Sequence, residues 1–98
     1  MILELGIIEA KPGQGDALEA GLIKARAFIS QAEGYRGSTF YRCIETPDRC
    51  VITIQWDSVA HHMEGFRNGP LFPQWRAEFA EFMGGPPSVA HYTTFAGE

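Results

Sequence analysis

The stretch Ile2-Leu-Glu-Leu-Gly-Ile-Ile8 is apolar on both sides of an extended chain: Leu3, Leu5 and Ile7 alternate with Ile2 and Ile8. Successive side chains of a strand point to opposite faces of its sheet. A strand apolar on both faces needs two covers. One cover comes from the chain's own helices. With 98 residues the chain makes one small domain with a modest core, and a second internal layer is hard to supply. The economical second cover is another copy of the same sheet, packed across a two-fold axis.

The rest of the chain supplies the helical cover. Lys11-Pro-Gly-Gln-Gly15 breaks the first strand, Ile2 to Ala10. Asp16-Ala-Leu-Glu19 has the form of a capping box, an acceptor side chain three residues before a Glu. The helix it opens is predicted to run to about Glu33, with Gly34 as its stop. Leu18, Leu22, Ala25, Ile29 and Ala32 form its apolar stripe. Tyr35 to Glu45 and Arg49 to Asp57 read as a hairpin around Thr46-Pro47-Asp48. Ser58 suits the N-cap of a short helix from Val59 to about Phe66, which Asn68-Gly-Pro70 interrupts. A further helix from Pro70 carries Leu71, Phe72, Trp75, Phe79 and Phe82/Met83, and Gly84-Gly-Pro-Pro87 ends it. Ser88 to Phe95 is a last strand.

The order β-α-β-β-α-α-β is that of a ferredoxin-like α+β sandwich, one domain over residues 1–98 with a core of about 2–95. A two- or four-residue hairpin turn would put Thr39, Tyr41, Cys43, Ile52, Ile54 and Trp56 on one face. Phe40, Arg42, Ile44, Val51, Thr53 and Gln55 would share the other, and a bulge would swap part of this. Phe40, Ile44 and Val51 then add to the apolar face that needs a partner. Arg42 on that face would need a counter-charge, for which Glu4 is the candidate.

Eight Lys and Arg against twelve Asp and Glu give a net charge of −4, with no basic cluster, so nucleic acid is not an expected partner. No apolar run is long enough to cross a membrane, and no signal-peptide pattern opens the chain, so the expected compartment is the cytoplasm. Cys43 and Cys50, placed on one hairpin face, are expected to be thiols there. No HxxxH, HExxH or CxxC spacing occurs, and neither a metal nor a nucleotide cofactor is expected.

Seven Phe, three Tyr and two Trp are a large aromatic load for so short a chain. Rings in excess of a small core either seal an interface or line a ligand cavity. The candidate lining is Tyr41, Trp56, Phe66, Phe72, Trp75 and Phe79. His62, on the same helical side as Phe66, is either a packing histidine or a general acid–base group. His91, on the last strand, is either a proton carrier or a bridge at the dimer seam. Arg67, at a helix end, either compensates the helix dipole or holds an anionic substrate oxygen.

The run Trp56-Asp-Ser-Val-Ala-His-His62, with Phe66-Arg67, Pro70, Phe72, Trp75-Arg76 and the closing Val89-Ala-His91-Tyr92, resembles the antibiotic biosynthesis monooxygenase family. The likeness spans nearly the whole chain and implies a dimeric α+β barrel. The family's haem-degrading branch uses an Asn on the first strand, a Trp on the second helical segment and an axial His. The only Asn here is Asn68, and Phe66 and Arg76 stand at the other two positions, so that branch is disfavoured. What the resemblance then implies is a homodimeric, cofactor-independent monooxygenase for a small aromatic or phenolic substrate. His62 or His91 would serve as acid–base group, Arg67 as anion holder, and Trp56, Phe66 and Trp75 as ring clamp. The alternatives are a non-catalytic small-molecule-binding module and a cofactor-free isomerase.

Overall fold

A computed structural model describes residues 1–98. It contains strand β1 (Ile2–Glu9), helix α1 (Gly15–Ile29), strands β2 (Tyr35–Arg42) and β3 (Arg49–Trp56), a π-helical turn (His61–Phe66), helix α2 (Leu71–Ala77), a 3-10 turn (Ala80–Phe82) and strand β4 (Ser88–Tyr92). The four strands form one antiparallel sheet in the order β2-β3-β1-β4, the ferredoxin-like α+β arrangement. The final strand stops at Tyr92, short of Phe95, which is fully exposed. The helix opened by Pro70 ends at Ala77 and gives way to the 3-10 turn instead of running on to Met83.

The helices lie on one side of the sheet. Ile8, Cys50, Ile52, Ile54 and Trp56 are buried there against Leu18, Leu22, Ala25 and Ile29 of α1 and against Phe66, Trp75, Phe79 and Met83. α1 approaches the chain beyond α2 so closely that a Cβ on Gly21 would sit 2.5 Å from the Glu78 carbonyl oxygen. The capping box does not form. α1 begins at Gly15, with Gln14 and not Asp16 at its N-cap, and Asp48 from the β2–β3 loop accepts the amides of Gly13 (3.0 Å) and Gly15 (3.1 Å). Asp16 and Glu19 instead take the Arg42 guanidinium, at 3.1 and 2.7 Å. α1 ends at Ile29, and Gly34 (φ 85°) turns the chain into β2 with the His61 ring packed where a side chain would stand.

The hairpin corrects the faces read from sequence. The Cys43 amide donates to the Arg49 carbonyl, so the loop between them, residues 44–48, holds five residues. An odd loop pairs equal parities: Phe40 opposes Ile52, and Arg42 opposes Cys50. Phe40 and Arg42 therefore face the helices, and Thr39 and Tyr41 share the open face with Val51 and Thr53. Cys43, opposite Arg49, lies on the other face from Cys50. Ile44 sits in the loop, exposed. Arg42 never meets Glu4. A bulge at Arg36 restores Tyr35 to the helix side, edge-on to Trp56 at 6.1 Å.

The side away from the helices carries Leu3, Leu5, Ile7, Val51, Tyr41, Ala90 and Tyr92 with no layer over it. The two-sided apolar character of β1 is thus preserved in the fold.

Candidate functional site

Glu4 is a carboxylate in an apolar strand, and it points inward. Its register partners are Ile54 on β3 and His91 on β4, and only 3% of its surface is exposed. A buried carboxylate needs donors. The Trp56 indole N–H donates to Glu4 Oε1 at 2.9 Å, and His62 Nε2 lies 3.3 Å from the same oxygen. His62 Nδ1 stands 2.8 Å from His91 Nε2. One chain of polar groups therefore runs from β1 through the π-helical turn to the edge strand β4.

The π-helical turn makes this contact possible. The Arg67 amide donates to the His62 carbonyl five residues back. This widened turn keeps His62 and Phe66 both buried on one side, their rings 6.5 Å apart. The imidazole of His62 lies flat on the Trp56 indole, centroids 5.4 Å apart at 19°.

Burial pushes the Glu4 carboxyl from 4.5 up to about 6, against the pull of the Trp56 N–H and the Arg67 charge. Burial, helped by His91 and Arg67, draws His62 from 6.5 down to about 4. At neutral pH Glu4 is an anion and His62 is neutral. The tautomer that fits has His62 Nε2–H facing the carboxylate, with Nδ1 accepting from His91 Nε2–H. His91, at the outer end of this chain of groups, is only half-buried.

These shifts predict opposing effects on stability. The raised Glu4 pKa favours the folded state below pH 4.5, a contribution of about 2 kcal/mol lost as pH rises through 6. The lowered His62 pKa contributes about 3 kcal/mol above pH 6.5, lost as pH falls to 4. Urea unfolding at stepped pH separates them. Relative to the parent, Glu4→Gln gains stability between pH 4.5 and 7, and His62→Phe gains it between pH 7 and 4. Slopes of the opposite sign contradict the assignment.

Glu4 and His62 form part of the wall of a cleft of about 450 Å³, within the size range of ligand sites. The sheet contributes Gly6, Ile8, Ile52 and Val89, α2 and the segment after it contribute Phe72, Trp75, Arg76 and Phe79, and Pro86 and Pro87 complete the lining. Arg67 also lines it, exposed, its guanidinium 5.8 Å from the Phe72 ring centre. No group of three or more His, Cys, Asp or Glu side chains is arranged to hold a metal ion.

Of the residues singled out from sequence, His62, Arg67, Phe72, Trp75 and Phe79 line this cleft, and His91 joins it through His62. Three lie elsewhere. Trp56 is buried beneath His62, and Phe66 is packed between Trp56, Phe72 and Trp75; neither ring is part of the cleft wall. Tyr41 stands on the open face of β2 because the hairpin loop is odd. Sequence reasoning missed Glu4 and Arg76 as site residues. The signal for Glu4 was present: it shares parity with Ile2 and Ile8 on an inward face.

Comparison with known proteins agrees with this architecture. The family model for antibiotic biosynthesis monooxygenase matches residues 1–78. The chain is similar to a Bordetella bronchiseptica protein classed with the antibiotic biosynthesis monooxygenases, at 34% identity and TM-score 0.93, covering 97% of each chain. It is 26% identical over 92 residues to YczJ of Bacillus subtilis, covering 94% of this chain and 97% of that one. SnoaB of Streptomyces nogalater, a cofactor-independent oxygenase, shares the fold at TM-score 0.80 and 12% identity, with 98% of this chain and 94% of that one covered.

Proposed function

The chain belongs to the antibiotic biosynthesis monooxygenase family, and from that premise we propose that its cleft oxidises a small aromatic or phenolic substrate with O₂, without metal or flavin. The observation that carries this reading is the Glu4–His62–His91 chain on a ring-walled cleft. A carboxylate with a pKa of about 6 is a competent base near neutral pH, whereas His62 at about 4 is too weak a base to serve. Glu4 takes the proton from an acidic CH₂ flanked by aromatic rings, and His62 holds the carboxylate in place. The carbanion passes one electron to O₂, and radical and superoxide combine to form the C–O bond. The peroxide takes the proton back from Glu4 and loses water to leave a ketone. The balance is R₂CH₂ + O₂ → R₂C=O + H₂O, with every electron supplied by the substrate. Arg67 at the cleft supplies positive charge for the developing oxyanion.

Oxygen uptake with a panel of anthrones, in the presence of a chelator, tests the reading. Turnover above buffer is expected, lost in Glu4→Gln. Uptake no greater than that of Glu4→Gln across the panel rules the reading out.

The working unit in this reading is a homodimer closed through the bare sheet faces. The support is the apolar set Leu3, Leu5, Ile7, Val51 and Tyr92, which a monomer leaves in water. Sedimentation at micromolar concentration is expected to give a dimer. Leu5→Glu, which places two carboxylates in the seam, is expected to raise the dissociation constant by about a hundredfold or more. A parent protein that sediments as a monomer contradicts it.

A further inference from the structure

We propose that the cleft selects an aromatic carboxylic acid, its carboxylate seated on the Trp75 indole N–H and the Arg76 guanidinium. The inference rests on the reading of this cleft as the substrate site, and it adds the class of acid that the site takes.

Two buried side-chain polar atoms in the whole chain lack a hydrogen-bond partner, Trp75 Nε1 and Arg76 Nε. They belong to consecutive residues of α2, and both residues line the cleft. Trp75 is 93% buried, so its N–H has no ready access to bulk water. Both groups donate and neither accepts, and a folded chain rarely leaves such donors unpaired in its interior. An acceptor that enters the cleft completes them once the two side chains turn toward it, since neither atom has appreciable surface open to solvent here.

The local charge says which kind. The chain as a whole carries −4, but the cleft gathers Arg67 and Arg76 against one carboxylate, Glu4, with His62 neutral. A site of opposite sign to its protein concentrates anions. The planar guanidinium fork matches the two oxygens of a carboxylate, and charge-assisted bonds of this kind are stronger than neutral ones. Position follows from repulsion. Glu4 lies on the sheet wall and Trp75 and Arg76 on the α2 wall, so the acid group sits on α2 and the rest of the ring system lies toward Glu4. The Phe72 and Phe79 rings and a volume of about 450 Å³ suit two or three fused rings.

Binding, without turnover, tests this. The probes are 2-naphthoate and its neutral isostere 2-naphthamide, titrated into ¹⁵N-labelled protein. The two indole N–H resonances report separately, because Trp56 already donates to Glu4 and Trp75 donates to nothing. We expect 2-naphthoate to bind about tenfold or more tightly than 2-naphthamide, with the Trp75 indole proton moving downfield and that of Trp56 unmoved. Arg76→Gln should bring the affinity ratio to about one, and Arg76→Lys, which keeps charge but not the fork, to an intermediate value. Equal affinities, no binding of either probe at millimolar concentration, or a ratio unchanged in Arg76→Gln overturns the proposal. Oxygen uptake that is indifferent to an acid group would overturn it while leaving the oxygenase reading intact. A naphthoate preference in a protein that consumes no oxygen would do the reverse.

Discussion

Glu4→Gln is expected to lower the rate of substrate oxidation by about 10²–10⁴-fold, the usual loss when a general base is removed. The amide keeps the shape of the carboxyl and can still accept from Trp56, so the fold is retained and the loss falls on kcat. In the parent protein kcat/KM should rise with pH through about 6 and level off above, because only the Glu4 anion accepts a proton. His62 does not produce a second limb in that range, since burial holds it neutral down to about 4. The profile and the variant are read together. An unchanged rate in Glu4→Gln, or an acid limb near 4 instead of 6, would move the base from Glu4 to another group.

Trp56→Ala should be among the most destabilising single substitutions in the chain. The indole is fully buried between Tyr35, His62 and Phe66. Truncating a buried Trp costs about 3–5 kcal/mol. For a domain this small that is a fall in Tm of at least about 12 °C. Trp56→Phe separates packing from chemistry. It keeps a ring over His62 but removes the N–H that lowers the Glu4 pKa. The acid limb of kcat/KM should then move to higher pH while most of the stability remains. A limb that stays in place would show that Trp56 is core and nothing more.

Trp56 also shows how much of the molecule was legible. Its place on the inner face followed from the alternation Ile52, Ile54, Trp56, and so did the α1 stripe and the bare apolar side of β1. These are periodicities, and periodicity is written in the residues. The hairpin register was not. It depends on whether the loop after Cys43 holds an even or an odd number of residues, and Thr46-Pro47-Asp48 suits either. That single parity moved Phe40 and Arg42 to the helix side and Tyr41 away from the site. The cap of α1 was hidden for a related reason: Asp48 reaches it from 33 residues away, while Asp16 looked sufficient locally. The π-helical turn, which gives His62 its reach to both Glu4 and His91, depends on how the segment packs between sheet and α2. Glu4 was readable and went unread as a site residue. A lone carboxylate at an inward position of an apolar strand carries a desolvation cost that function has to justify.

Oxidation of an anthrone under ¹⁸O₂, with chelator present and no flavin added, tests the proposed chemistry most directly. The expected product carries one ¹⁸O atom at the oxidised carbon, with one O₂ consumed per ketone formed and no hydrogen peroxide released. Consumption of substrate without ¹⁸O incorporation, as an isomerase would give, or no consumption at all, would contradict it.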